Sequence, residues 1–170
     1  MNTFTATASR RINIERTMVI SSQPFDRVVG RLDGSIGHPN MTEFVRRVAA
    51  SRTSAELEDV VQEATGPAGL MQMARFDIGE VLRKESGAGS PKSLRLVIGN
   101  PLIMKQMVVH VPDAASYAPV TVLIDERADG VHLSYDTMAS LLASYGNAEA
   151  LAVARDLDAK IVTLLTSAAA

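Results

Sequence analysis

Cysteine is absent from the 170-residue chain. Thiol nucleophiles, thiolate zinc sites, iron–sulfur clusters and disulfide-stapled scaffolds are therefore excluded. Tryptophan is absent too, and the aromatics are only four Phe and three Tyr, set against eight Met. So few rings make a poor stacking platform for single-stranded nucleic acid. A surplus of positive charge is also missing, because 17 Lys and Arg stand against 19 Asp and Glu, a net charge of -2. The basic clusters Arg10-Arg11 and Arg46-Arg47 are short. Replacement of phosphate counterions needs more than that, so no nucleic-acid partner is expected. No apolar run has the length to span a bilayer, and no membrane partner is expected. Residues 1–11 are rich in Thr, Ser and Ala and lack both acidic residues and an apolar h-region. They read as a flexible tail rather than a secretory signal, which makes the cytoplasm the expected location. Residues 12–170 read as one domain, long enough to bury roughly 70% of its unfolded surface without a metal or disulfide.

Periodicity supplies the elements. From Ile12 the chain alternates, with Ile12, Ile14, Arg16, Met18 and Ile20 expected on the buried side of a strand. Ser22-Gln23-Pro24 stops that strand and offers Ser22 as a cap. Phe25, Val28, Val29, Leu32 and Ile36 then follow at helical spacing. Asn40, with Glu43 three residues on, opens a second helix, and Thr53-Ser54-Ala55-Glu56 opens a third as a capping box. Gly66-Pro67-Ala68-Gly69 breaks the chain before a strand from Leu70 to Asp77. That strand is expected to carry Leu70, Gln72, Ala74 and Phe76 on one face and Met71, Met73, Arg75 and Asp77 on the other. A Gly, Ser and Pro-rich stretch from Ser86 to Pro91 reads as a mobile loop, and Leu94, Leu96 and Ile98 alternate in the next strand. Gly99-Asn100-Pro101 is a strong helix start, and Asp129-Gly130 is a hairpin signal between two strands. A turn at those two residues sets Arg127 opposite His132 and Asp125 opposite Ser134. Asn147 caps a final helix with Ala150, Ala154, Leu157, Ile161, Leu164 and Leu165 inward. The fold class is α+β: an antiparallel sheet of about five strands covered by helices, the C-terminal one long.

Three segments carry a resemblance. They are Ile14-Glu15-Arg16-Thr17 leading to Pro24-Phe25-Asp26-Arg27-Val28, then Leu96-Val97-Ile98-Gly99-Asn100-Pro101, then Tyr117-Ala118-Pro119-Val120-Thr121-Val122-Leu123 with the following hairpin and Ser134-Tyr135-Asp136. In order and spacing they resemble the bacterial "domain of unknown function 302" family, over residues 12–165. The resemblance implies a small α+β fold with a long C-terminal helix, self-association, and no established biochemical role. It also marks a departure. Members carry an Asp-His pair at the end of the second strand where this chain has Asp77-Ile78, so a site that needs that His is missing here.

Candidate sites follow from residue type and placement. Gly99, Asn100 and Pro101 stand where a strand meets a helix N-terminus, a place suited to anions, although capping alone accounts for each residue. Arg75 and Asp77 share a strand face with two Met and form a candidate pocket mouth, or else a surface ion pair. Tyr135 and Asp136 lie in the family-like run, and Asp136 is also placed to cap a short helix from Met138. Asp125, His132 and Asp136 offer an acid–base constellation, against the plainer reading of a solvated sheet face. No cofactor loop, nucleophile elbow or paired-His metal motif is present, so no cofactor or metal is expected. Met71, Met73, Met104 and Met107 mark a Met-lined zone near Gly99-Asn100-Pro101, while Phe25, Phe44, Phe76 and Tyr135 are expected in the core. The resulting expectation is a homodimer that binds a small anionic or partly apolar molecule, or one that self-associates. The alternatives are an interaction domain without a ligand site and, more distantly, an enzyme using Asp125, His132 and Asp136.

Overall fold

The computed structural model describes residues 5–86 and 89–170. Five antiparallel strands form one sheet in the order β1-β5-β4-β3-β2. They are β1 (Arg16–Ser21), β2 (Met71–Asp77), β3 (Ser93–Gly99), β4 (Val120–Arg127) and β5 (Gly130–Asp136). The helices are α1 (Phe25–Asp33), α2 (Met41–Ala50), α3 (Ser54–Ala64), α4 (Ile78–Ser86), α5 (Pro101–Val108), α6 (Met138–Leu142) and α7 (Ala148–Ala169). A five-strand antiparallel sheet with a long C-terminal helix is the architecture that the alternating strands and the final helical stripe call for.

Local chemistry explains the helix starts. Asn40, Thr53, Asn100 and Asn147 each accept a hydrogen bond from a first-turn N–H of their helix. Such a cap contributes about 1 kcal/mol. Helix α1 starts without a side-chain cap; the Ser21 hydroxyl takes the N–H of Gln23 instead of Ser22 serving. The main core lies between one face of the sheet and α1, α5, α6 and α7. Leu94, Leu96, Ile98, Val122, Ile124, Leu133 and Tyr135 face it from the strands, and the whole predicted stripe of α7 is buried against them. A smaller core joins Phe44 of α2 and Val60 and Val61 of α3 to Met71. Helix α4 is not among the expected elements and follows β2 directly. The Asp77 carboxylate accepts the Glu80 N–H at 2.7 Å to start it.

Three expectations change. Register with β5 sets Val19 opposite Leu133 and Thr17 opposite Tyr135, so that side of β1 faces the core. Met18 and Ile20, expected inside, are 49% and 53% exposed. The strand also begins at Arg16, leaving Ile12 and Ile14 outside it. In β2 the register slips between Gln72 and Ala74, a bulge at Met73 that reverses the alternation. Arg75 and Asp77 then share the core-side face with Leu96 and Leu94, while Phe76 pairs with Arg95 on the other face and is 50% exposed. The hairpin turn is Ala128-Asp129, and Gly130 is already the first residue of β5. Asp125 therefore faces His132 rather than Ser134. The slip is two residues, so every side chain keeps its expected face.

Gly130 has φ of +139°, and a Cβ there would sit 2.6 Å from the Ser21 carbonyl oxygen of β1. Gly130→Ala is expected to cost about 2–3 kcal/mol, read as a lowered urea midpoint with unchanged slope.

Candidate functional site

A cavity of about 150 Å³ opens where β3 meets α5. Met73, Gly99, Pro101, Ile103, Met104 and Met107 form much of its wall, with Ala118, Pro119, Val120 and Leu157 completing it beside Asn100. Each element contributes for a local reason. The β2 bulge falls at Met73, whose methyl lies 3.8 Å from where a Gly99 Cβ would stand. Pro101 starts α5 and places Met104 and Met107 one turn apart on its buried side. The Ala118-Pro119 peptide is cis. Asn100 lines the cavity, but both ends of its amide are committed. Its Oδ1 accepts the Leu102 N–H at 2.8 Å and its Nδ2 donates to the Gly69 carbonyl at 3.0 Å. No charged side chain is part of this wall. Three methionines of the expected zone, Met73, Met104 and Met107, thus meet the Gly99-Asn100-Pro101 helix start in one apolar cavity, while Met71 lies in the small core instead.

Arg75 and Asp77 lie elsewhere. Both line a polar cleft of about 470 Å³ beside α1, together with Asp26 and Lys92. They do not pair with each other. Arg75 forks onto Asp33 at 2.9 and 3.0 Å, and Asp77 takes Arg83 at 3.2 Å. The Glu80 N–H, followed by the Arg83 guanidinium, holds the Asp77 carboxyl below its usual range.

Tyr135 is 1% exposed and points into the core. Its hydroxyl donates to Asp158 Oδ1 at 2.6 Å. Burial first, then the neighbouring Asp158, pushes the Tyr135 hydroxyl well above its usual range. Asp158 also accepts the N–H groups of Met138 at 2.7 Å and Ala139 at 3.0 Å, so it is the cap of α6, the role considered for Asp136. Asp136 instead takes the fork of Arg16 at 2.5 and 2.8 Å on the outer face of the sheet. That guanidinium holds the Asp136 carboxyl below its usual range, so it is ionised throughout the neutral range.

Asp125, His132 and Asp136 share the outer face without converging. Asp125 pairs with Arg127 at 2.6 Å, and His132 Nε2 lies 2.8 Å from Asp129 Oδ1 with its Nδ1 3.4 Å from the Met18 sulfur. Asp136 stands four residues from His132, about 13 Å along the strand. Among the described residues no group of three or more His, Asp or Glu is placed to hold a metal ion. No helix among the described residues is long and apolar enough to cross a membrane.

Comparison with known proteins agrees with the architecture. The family described as "Domain of unknown function DUF302" matches residues 45–168. No curated protein matches the chain. A crystal structure of an uncharacterized conserved protein DUF302 from Bacillus stearothermophilus shares the fold with a TM-score of 0.62 at 13% identity, covering 90% of this chain and 97% of that one. A family match over most of the sequence, on the same sheet-and-helix frame, means that the chain belongs to the DUF302 family, whose biochemical role is unknown.

Proposed function

We propose that the domain is a small-molecule binding module whose ligand is an uncharged apolar molecule held in the Met-lined cavity. The observation that carries this reading is the cavity itself: about 150 Å³, walled by apolar side chains. Apolar cavities of about that volume stay dry and take up benzene-sized molecules. The wall also favours the apolar half of the sequence-based expectation over the anionic half. Pro101 supplies no N–H, the Leu102 N–H is taken by Asn100, and no cation lines the cavity. Methionine is unbranched and polarizable, so Met73, Met104 and Met107 can reshape the wall around ligands of different outline.

The magnitude is modest. Burying about 200 Å² of a ring-sized ligand at about 25 cal/mol/Å² gives about 5 kcal/mol, a Kd of about 0.2 mM. Toluene at about ten times its Kd is then expected to stabilise the fold by about 1.4 kcal/mol and to raise Tm by about 3–6 °C. Filling variants Ala118→Leu and Met104→Phe are expected to abolish the rise. Absence of any shift with the unaltered protein, or a shift that both filled variants retain, would contradict the reading.

A second reading is self-association across the outer sheet face. Met18, Ile20 and Phe76 are each about half exposed there. A symmetric pair that sets the two outer faces together removes these three side chains from water. Sedimentation at about 10 μM, a concentration that populates complexes of micromolar Kd, is expected to report a dimer that Phe76→Lys dissociates. A monomer at that concentration counts against this reading.

A further inference from the structure

The outer face of the sheet holds a second cleft, of about 380 Å³. One cross-strand row runs through it: Arg95 on β3 is opposite Leu123 on β4, and Leu123 is opposite Ser134 on β5. Neighbouring strands are about 4.8 Å apart, so Arg95 and Ser134 bracket Leu123 with their Cα atoms about 10 Å from each other. That is a span an arginine side chain and a small ligand fill together.

Two groups in this row lack partners. The Arg95 guanidinium pairs with no carboxylate among the described residues and lies 5.9 Å from the centre of the Phe76 ring. Ser134 lines the cleft, and its hydroxyl has no hydrogen-bond partner among the described residues. The hydroxyl is open to the cleft, so it is available to a ligand as donor or acceptor. Asp136 lines the same cleft, but Arg16 forks onto it and neutralises it. Two guanidiniums against one carboxylate leave one positive charge in surplus.

We propose that this cleft is a binding site for a small organic carboxylate with an apolar body. The guanidinium of Arg95 matches a carboxylate as a two-pronged donor, the Ser134 hydroxyl donates to the same group or to a second acceptor, and Leu123 and Leu141 take the apolar part. Arg16, already held by Asp136, supplies field rather than a direct bond. This site differs from the Met-lined cavity in chemistry, although Val120 lines both: one has a cation without a carboxylate and a hydroxyl open to it, the other has neither.

The test is a titration of isotopically labelled protein with benzoate, alongside its neutral isostere benzamide, followed by amide chemical shifts. Benzoate is expected to move Arg95, Leu123 and Ser134 saturably with a Kd of about 1 mM, weakening with added salt. Arg95→Gln, at an exposed position that leaves the fold intact, is expected to weaken benzoate about tenfold or more, and Ser134→Ala several-fold. Benzamide is expected to leave the row unmoved. The proposal is overturned if benzoate gives no saturable shift, if benzamide does as well, or if Arg95→Gln binds benzoate unchanged. It is overturned equally if benzoate moves only Met104 and Met107, which would assign the ring to the apolar cavity.

Discussion

Asp158→Ala is expected to destabilise the domain by about 3–5 kcal/mol, a large share of the total stability of a chain this size. The carboxylate accepts three hydrogen bonds, from the Tyr135 hydroxyl and from the N–H groups of Met138 and Ala139. It ties β5 to α6 and both to α7, three parts of the chain that enclose one end of the core. Alanine removes the acceptor, and the hydroxyl of Tyr135, a side chain 1% exposed, loses its carboxylate partner at the edge of the core. Asn at the same position keeps one acceptor oxygen and is expected to cost about 1–2 kcal/mol. Tyr135→Phe removes a single donor and is expected to cost about 1 kcal/mol, because the backbone N–H groups retain Asp158. Urea denaturation of the three variants gives the order directly. A result with Asp158→Ala no worse than Tyr135→Phe would mean that the network does not hold the core end together.

Gly37→Ala is the second large effect, about 3 kcal/mol or more. Here backbone packs on backbone. The Gly37 N–H donates to the Leu70 carbonyl at 2.9 Å, and the Gln72 N–H returns to the Gly37 carbonyl at 2.8 Å. The Gly66 N–H shares the same Leu70 carbonyl at 3.0 Å. A Cβ on Gly37 would overlap the Ala64 carbonyl, with Gly66 N at 2.9 Å. No side chain is available to swing aside, so the segment after α1 must separate from the end of α3. Those contacts seat the small core of Phe44, Val60, Val61 and Met71, and Met73 of the cavity wall packs against it. The variant is therefore expected to lose toluene stabilisation as well as Tm. A Tm within about 2 °C of the parent would contradict this close packing.

Much of this architecture is written locally in the chain. The Asn caps at 40, 100 and 147 and the capping Thr53 need only their own helix, and they sit where expected. The stripe of α7 is likewise a one-element property. What local reading missed depends on partners. In β1 both alternating sets are partly apolar, and only the pairing of Val19 with Leu133 decides which one faces inward. In β2 a single bulged residue reverses parity and carries Phe76 outside. Asp158 had a signal: it stands four residues after Ala154 and three before Ile161, an acid in an apolar stripe, which requires a partner. Met104 and Met107 beside Gly99-Asn100-Pro101 are legible because strand end and helix start are adjacent in sequence, whereas Met73 reaches them only through the pairing of β2 with β3. The Arg95, Leu123 and Ser134 row is not legible, because it crosses three strands.

The proposal of an apolar ligand in the Met-lined cavity is tested most directly by methyl signals of the methionines, labelled with carbon-13 and followed during addition of toluene. Met73, Met104 and Met107 are expected to shift and saturate together, while Met18 on the outer sheet face stays in place. Saturable movement of Met18 alone, or no movement at any methionine up to the solubility limit of toluene, would contradict it.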